Sequence, residues 1–135
     1  MKYFCFLLVL SVLCLSACKK NEEVVVNDGV TGKWQLVRTG NGTGGGVAYQ
    51  NPDPTKPQII EFKADSSFTA NINSTYLKDY NAYSIIDSRH LKFLPDLSSM
   101  PPNTWSYKTS DGISLTLYMH LVCAEGCFLE YKAIR

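Results

Sequence analysis

Residues 113–121 read Ile-Ser-Leu-Thr-Leu-Tyr-Met-His-Leu, and every second side chain from Ile113 to Leu121 is apolar. Successive side chains of a β-strand point to opposite faces of its sheet. A period of two therefore predicts a strand with one face in a core and the other in solvent. No segment after residue 29 shows a convincing helical period, which indicates an all-β protein.

The same alternation recurs in seven further segments, which brings the number of predicted strands to eight. Each segment sets β-branched, aromatic or other apolar residues against polar ones, as half-buried strands do. The eight predicted strands cover about 33–39, 58–63, 67–73, 82–87, 90–94, 104–109, 113–121 and 128–134.

The connections between these strands are of two kinds. Those at 64–66, 87–89 and 110–112 are short and made of turn-forming residues, whereas those at about 40–57, 74–81 and 95–103 are long. Alternate connections of an up-and-down sheet lie at the same end, so one end is closed and the other is rimmed by long loops. Eight strands suit a small barrel, and closure removes the exposed edges of the sheet. We therefore predict an eight-stranded, up-and-down antiparallel barrel.

The N-terminal segment differs from the rest. After Met1 and Lys2, residues 3–15 carry no charge. This run is shorter than the roughly 20 residues that cross a bilayer and has the length of the apolar region of a signal peptide.

The run ends in Leu15-Ser16-Ala17-Cys18, which resembles the lipobox of bacterial lipoproteins. The resemblance implies that residues 1–17 are removed and that Cys18 carries several acyl chains, palmitate among them, which is enough for stable anchoring. Residues 18–29 then form the lipidated cysteine and a tether, and 30–135 form the barrel domain. The alternative is an ordinary secretory signal with a chance cysteine. Lys19-Lys20-Asn21-Glu22-Glu23 fits a solvated linker or, less closely, a surface-export signal.

A second resemblance covers the chain from about 30 to 135. Gly32-Lys33-Trp34 looks like the G-x-W signature of lipocalins. Two further segments, residues 60–68 and the late Cys-x-x-x-Cys hairpin, resemble motifs of small lipocalin-like lipoproteins of Gram-negative bacteria. The resemblance implies outer-membrane anchoring, facing the periplasm or the cell surface. It also implies that Trp34 plugs the closed end beneath a stacked Arg135. We expect no counterpart of the helix that follows the barrel in larger lipocalins.

Two cysteines remain once the signal is removed and Cys18 is lipidated. Cys123 and Cys127 flank Ala124-Glu125-Gly126, a three-residue loop with glycine at its end, as in a β-hairpin. We expect a disulfide between them in an oxidising compartment. The alternative is a zinc site with His120, but two thiolates and one imidazole fall short of a closed site. We expect no metal and no cofactor.

Charge and motifs argue against several functions. The chain has 13 basic and 12 acidic side chains, and loss of Lys2 with the signal makes the mature counts equal, so a nucleic-acid-binding surface is not expected. The run 40–46 is rich in glycine but lacks the ending of a phosphate loop, which favours a flexible lid.

Residues for catalysis are also lacking. Asp65, Asp87 and Asp111 each occupy a tight turn, where aspartate caps its own backbone, although a paired acid-base role is the alternative. His90 and His120 fall on outward faces, and no Gly-x-Ser-x-Gly motif is present. We therefore expect a protein that is not an enzyme.

The inward residues near the open rim form the only functional constellation. An apolar wall with a few polar tips suits a small hydrophobic ligand, although the same side chains also suit a fully packed core. A protein-binding envelope module, with Tyr49, Tyr76, Tyr80 and 100–102 on its rim loops, is the alternative function. The expected ligand-binding residues are Leu36, Ile60, Ile72, Tyr83, Phe93, Trp105, Met119 and Leu129.

Overall fold

The computed structural model describes residues 25–97, 103–119 and 126–135. Within these ranges the chain is all-β and forms nine strands without a helix. The predicted signal peptide, Cys18, most of the predicted tether and residues 98–102 and 120–125 lie outside the described residues. The strands are β1 (Gly32–Gly42), β2 (Val47–Gln50), β3 (Ile59–Phe62), β4 (Phe68–Ala70), β5 (Ala82–Ile85), β6 (His90–Leu94), β7 (Thr104–Ser110), β8 (Ser114–Met119) and β9 (Cys127–Ile134).

Eight of the strands form one antiparallel sheet in the order β4-β3-β1-β9-β8-β7-β6-β5. The predicted up-and-down order is confirmed, because the first and last strands are neighbours: Trp34 lies opposite Ala133, and Lys33 lies opposite Ile134. Every other neighbour along the barrel is adjacent in the sequence, apart from the extra strand β2.

The barrel is nearly closed by contact between β4 and β5. A single bridge joins Ser67 to Ala82. The backbone N–H of Phe68 donates to the carbonyl oxygen of Asn81 over 2.9 Å, and that of Tyr83 donates to Ser66 over 3.0 Å. The predicted eight-stranded barrel is therefore confirmed, with its weakest pairing at this seam.

The predicted strand over 67–73 is too long, and its error has a local cause. The side chain of Asn71 accepts a hydrogen bond from the Ile59 backbone N–H over 3.2 Å and donates one to the Pro57 carbonyl oxygen over 2.6 Å. The Asn71 side chain thus bonds to backbone groups at the start of β3, competing with a continued strand ladder. The chain turns there, and Ile72 is 88% exposed. The expected inward position of Ile72 in the ligand wall is wrong.

Residues 40–57 contain a strand that the sequence pattern does not indicate. β2 folds back on the end of β1, with Val47 opposite Gly42 and Gln50 opposite Thr39. Gly44 and Gly46 have positive φ angles of 77° and 148°, which suit the tight turn between the two strands. The expected flexible lid is in its first part a β-hairpin.

The end of the barrel at which β1 begins is sealed. The Trp34 side chain is fully buried there, and the preceding residues 27–30 run across this end. The backbone N–H of Asn27 donates to the Gly112 carbonyl oxygen over 2.8 Å, and Val30 joins the buried core. A side chain at Gly112 would collide with the Asn27 backbone, so only glycine allows this close approach.

Candidate functional site: the barrel interior and its seam

Seven of the eight predicted wall residues are buried, Ile72 being the exception. They project inward because alternate residues of each strand share one face of the sheet. The buried seven are Leu36, Ile60, Tyr83, Phe93, Trp105, Met119 and Leu129.

An aromatic cluster spans the interior from β3 to β7. The Phe62 ring centroid lies 4.9 Å from that of Phe68 and 4.9 Å from that of Tyr83. Phe93 lies 6.0 Å from Phe62 and 5.4 Å from Trp105, the latter edge to face. These separations are typical of stabilising ring pairs. In this conformation the protein's own rings therefore fill this part of the interior, and Phe62 and Phe68 are members that the predicted wall omitted.

Two further members of the core come from the loop between β4 and β5. Leu77 is 1% exposed, and Tyr80 is 4% exposed. The Tyr80 ring stacks on Phe93, with centroids 5.2 Å apart and planes inclined by 28°. The expected rim position of Tyr80 is therefore wrong, whereas Tyr76 is exposed as expected.

This loop is attached at both ends. Its first anchor is the buried Ser74, whose hydroxyl donates to the Asn71 side-chain oxygen over 3.2 Å. Its second anchor is Asn81, whose backbone N–H donates to the carbonyl oxygen of Leu94 over 2.9 Å. Leu77 and Tyr80 lie between the two anchors.

The described interior carries no charged side chain. Its buried polar residues are Ser74 and Asn103, and every buried side-chain nitrogen or oxygen in the described ranges has a hydrogen-bond partner. Burial raises the pKa of Tyr131, and it raises that of Tyr80 with help from Asp96 and Asp79. Both phenols are therefore neutral at pH 7. Such an interior suits a neutral, apolar molecule, because an unpaired charge is costly to bury.

The turn aspartates cap their own turns, as predicted for Asp65 and Asp87. Asp65 accepts hydrogen bonds from the backbone N–H and the hydroxyl of Ser67, over 2.9 and 2.6 Å. Asp87 accepts from the backbone N–H groups of Arg89 and His90 and lies 2.8 Å from the His90 ring. Hydrogen bonds lower the pKa of both carboxyl groups, chiefly the bond from the Ser67 hydroxyl at Asp65 and the bond with the His90 ring at Asp87. A general acid needs the opposite shift.

Several expected features remain predictions. His120, Cys123 and 98–102 lie outside the described residues, so neither the disulfide nor the zinc alternative is tested by the buried Cys127. Arg135 follows the end of β9, beside β1, and its stacking on Trp34 stays a prediction. Across 25–97, 103–119 and 126–135, no three His, Cys, Asp or Glu side chains form a group suited to a metal ion. The same ranges hold no helix long and apolar enough to span a membrane.

A row of aromatic side chains crosses the outer surface of four strands. Phe128 of β9 lies opposite both Tyr118 of β8 and Gly40 of β1, and Gly40 lies opposite Tyr49 of β2. The Phe128 ring centroid is 6.1 Å from that of Tyr118 and 6.0 Å from that of Tyr49. We call Tyr118, Phe128 and Tyr49 the outer aromatic row. Sequence alternation marks Tyr118 as outward-facing but does not indicate the row, because β2 was not predicted.

Arg38 borders this row. Its guanidinium carbon lies 4.6 Å from the Tyr49 ring centroid, and its Nε donates to Glu130 Oε2 over 3.0 Å. The row thus combines two exposed tyrosine rings and the half-buried Phe128 ring with a charged pair at its edge.

Comparison of the chain with protein-family models, curated proteins and solved structures finds no match. The function must therefore be argued from the geometry of the chain itself.

Proposed function

We propose that this protein is a lipid-anchored, lipocalin-like lipoprotein of the Gram-negative outer membrane that binds a small hydrophobic molecule inside its barrel. The observation that carries the proposal is the neutral interior, which is sealed by the chain itself at one end and by two loop side chains at the seam. The interior of an eight-stranded barrel is wide enough to be filled by its own side chains or to hold one small ligand.

The anchor and the orientation follow from the order of the segments. Cys18 precedes Val25 by seven residues, which span at most about 25 Å when extended. The described chain then crosses the sealed end of the barrel. In this proposal the sealed end faces the membrane, and the opposite end is open to incoming molecules.

The chemistry of the proposed site favours an apolar ligand without charge. Leu36, Met119 and Leu129 line one side of the interior, and aromatic rings line the other. Apolar surface removed from water stabilises a complex by about 25 cal/mol per Å². Because the rings already fill part of the interior, binding requires at least one side chain to move.

The test is retention of a ligand by the purified mature protein. After incubation with a lipid extract of Gram-negative envelopes and removal of excess lipid, native mass spectrometry is expected to detect one bound molecule per chain. Trp105→Ala should retain less, whereas Tyr49→Ala, which changes an outward ring, should retain as much as the parent. A parent protein that retains nothing from the extract contradicts the proposal.

A protein-binding envelope module is the second candidate, and the outer aromatic row favours it. Tyr49 is 57% exposed, and aromatic side chains with an adjacent arginine are enriched at protein interfaces. A photoreactive p-benzoylphenylalanine in place of Tyr49 should crosslink to a specific envelope protein in cells. The same group in place of Ile86, exposed near the sealed end, is the control. Equal crosslinking from both positions contradicts this candidate.

A further inference from the structure

We infer that residues 74–80 form a displaceable plug, and that the ligand which replaces it is a neutral, planar aromatic molecule stacked on Phe93. This inference rests on the proposed ligand-binding function and adds the class of ligand and its place in the barrel. We call this segment the plug.

The plug closes the part of the barrel wall with the fewest strand pairs. β1 and β9 are matched over eight residue pairs, whereas β4 and β5 share the single bridge from Ser67 to Ala82. Beyond that bridge, β4 ends at Ala70, and side chains of the plug complete the core instead of a strand. Moving the plug therefore breaks no strand pair.

The hydrogen bonds inside the plug are local and long. The Leu77 and Lys78 backbone N–H groups donate to the Ser74 carbonyl oxygen over 3.4 and 3.2 Å, and the Tyr80 N–H donates to the Leu77 carbonyl oxygen over 3.3 Å. Hydrogen bonds weaken as they exceed about 3.2 Å. The backbone bonds at the two anchors are shorter: the Ser74 N–H donates to the Asn71 carbonyl oxygen and the Asn81 N–H to that of Leu94, both over 2.9 Å. The segment between them is held mainly by the burial of Leu77 and Tyr80.

Tyr80 occupies a place shaped for a ring. It lies nearly parallel to Phe93, while Trp105 meets Phe93 at 82°. Withdrawal of Tyr80 uncovers the face of Phe93, a flat apolar surface. A planar aromatic molecule recovers the stacking that Tyr80 gives up, whereas a flexible acyl chain does not.

The surroundings of Tyr80 disfavour an anionic ligand. Burial raises the pKa of its phenol, and the negative charges of Asp96 and Asp79 raise it further. The Lys92 ammonium group lies 3.4 Å from Asp96, but the Asp96 side chain is 68% exposed, so solvent screens the pair. A carboxylate entering beside Tyr80 meets like charges.

The experiment measures binding of N-phenyl-1-naphthylamine, a neutral probe with a planar naphthalene ring system, to the full lipidated chain in lipid nanodiscs. Energy transfer from Trp34 and Trp105, the two tryptophans of the chain, to the probe reports binding, and empty nanodiscs supply the background. Tyr80→Ala and Leu77→Ala remove the plug side chains. Leu117→Ala is the matched control, because Leu117 is equally buried but lies on β8, outside the plug.

Plug removal should tighten probe binding by about tenfold or more, because apparent affinity rises with the population of the open state. The dissociation constant of the probe for Leu117→Ala should stay within about twofold of the value for the parent. Tyr80→Phe keeps the ring and should bind the probe as the parent does. Dodecanoate should compete poorly. If Tyr80→Ala does not fold, two other measurements test the plug: probe binding by Leu77→Ala and amide hydrogen exchange of the parent. Saturating probe should raise the amide exchange rates of residues 74–80 above those of the probe-free parent.

The outcomes separate the two proposals. The plug inference is overturned if the parent binds the probe and neither plug variant binds it more tightly. It is also overturned if Leu117→Ala tightens binding as much as Leu77→Ala does. Either result leaves the proposed function standing. Unchanged exchange across 74–80 with bound probe also overturns the plug. Absence of lipid-extract ligand from the parent, together with absence of probe binding by every variant, overturns both.

Discussion

The indole Nε1 of Trp34 donates a hydrogen bond to the carbonyl oxygen of Val30 over 2.8 Å, in a fully buried position. This bond joins the first strand of the barrel to the segment that crosses its sealed end. It gives the tryptophan of the Gly32-Lys33-Trp34 motif a defined structural role: one side chain fills the end of the core and ties down the incoming chain.

Trp34→Phe should therefore lower the free energy of unfolding by about 2–4 kcal/mol. The substitution leaves a cavity and removes the partner of a buried carbonyl group. Urea denaturation of parent and variant measures the difference. Tyr118→Phe, which changes an outward ring, should stay within about 0.5 kcal/mol of the parent. Equal stability of Trp34→Phe and the parent contradicts the assigned role of the indole.

Gly40→Ala should disturb the outer aromatic row. A methyl group at Gly40 collides with the Phe128 ring, which lies across the glycine between Tyr118 and Tyr49. We expect a loss of about 1–2 kcal/mol of stability, because the ring must leave its contacts. The double variant Gly40→Ala/Phe128→Ala should be as stable as Phe128→Ala alone. If the double variant is less stable than Phe128→Ala by the full cost of Gly40→Ala, that cost does not arise from the collision with the Phe128 ring.

Alkaline pH should destabilise the barrel through Tyr131. Burial raises the pKa of this phenol, so it stays neutral in the folded chain while it ionises near pH 10 in the unfolded chain. The free energy of unfolding therefore falls as pH rises above about 10, with a slope of up to about 1.4 kcal/mol per pH unit. Thermal unfolding between pH 8 and 11 should show the fall, and Tyr131→Phe should reduce it. An identical pH profile in the variant contradicts this assignment.

Cys18→Ser should release the protein from the membrane. Serine cannot accept the acyl chains that the lipobox resemblance implies, and stable anchoring needs more than one such chain. Metabolic labelling with palmitate and membrane fractionation measure the two consequences. Cys5→Ser, within the predicted signal peptide, is the control and should keep both label and anchoring. Palmitate label that persists in Cys18→Ser excludes this cysteine as the lipidation site.

The barrel was predictable because alternation acts along a whole strand. Each strand of the barrel has one face against the core, so its apolar residues repeat with a period of two, and the loop lengths set the strand order. β2 lacks this signal. Its four residues are all exposed, and the glycines of the preceding turn, together with pairing to β1, determine its position.

The site was predictable in its strands and not in its loops. Seven wall residues face inward because they occupy the core-facing positions of their strands. Ile72 does not, because it follows Asn71, whose side chain hydrogen-bonds to the backbone of β3 where β4 has ended. Tyr80 belongs to a loop, where no periodicity links sequence to direction. Its insertion beside Phe93 depends on a gap between β4 and β5 that arises only in the assembled barrel.

The central claim is that the barrel interior holds a small hydrophobic molecule. It is tested most directly by mass spectrometry of the protein isolated from the cells that produce it. The chain is isolated from its own envelope in mild detergent, and its mass is measured under native and denaturing conditions. We predict one additional small molecule per chain under native conditions, lost on denaturation and present in a smaller fraction of Trp105→Ala chains. Identical native and denatured masses for the parent, or an adduct that Trp105→Ala retains as fully as the parent, would contradict the claim.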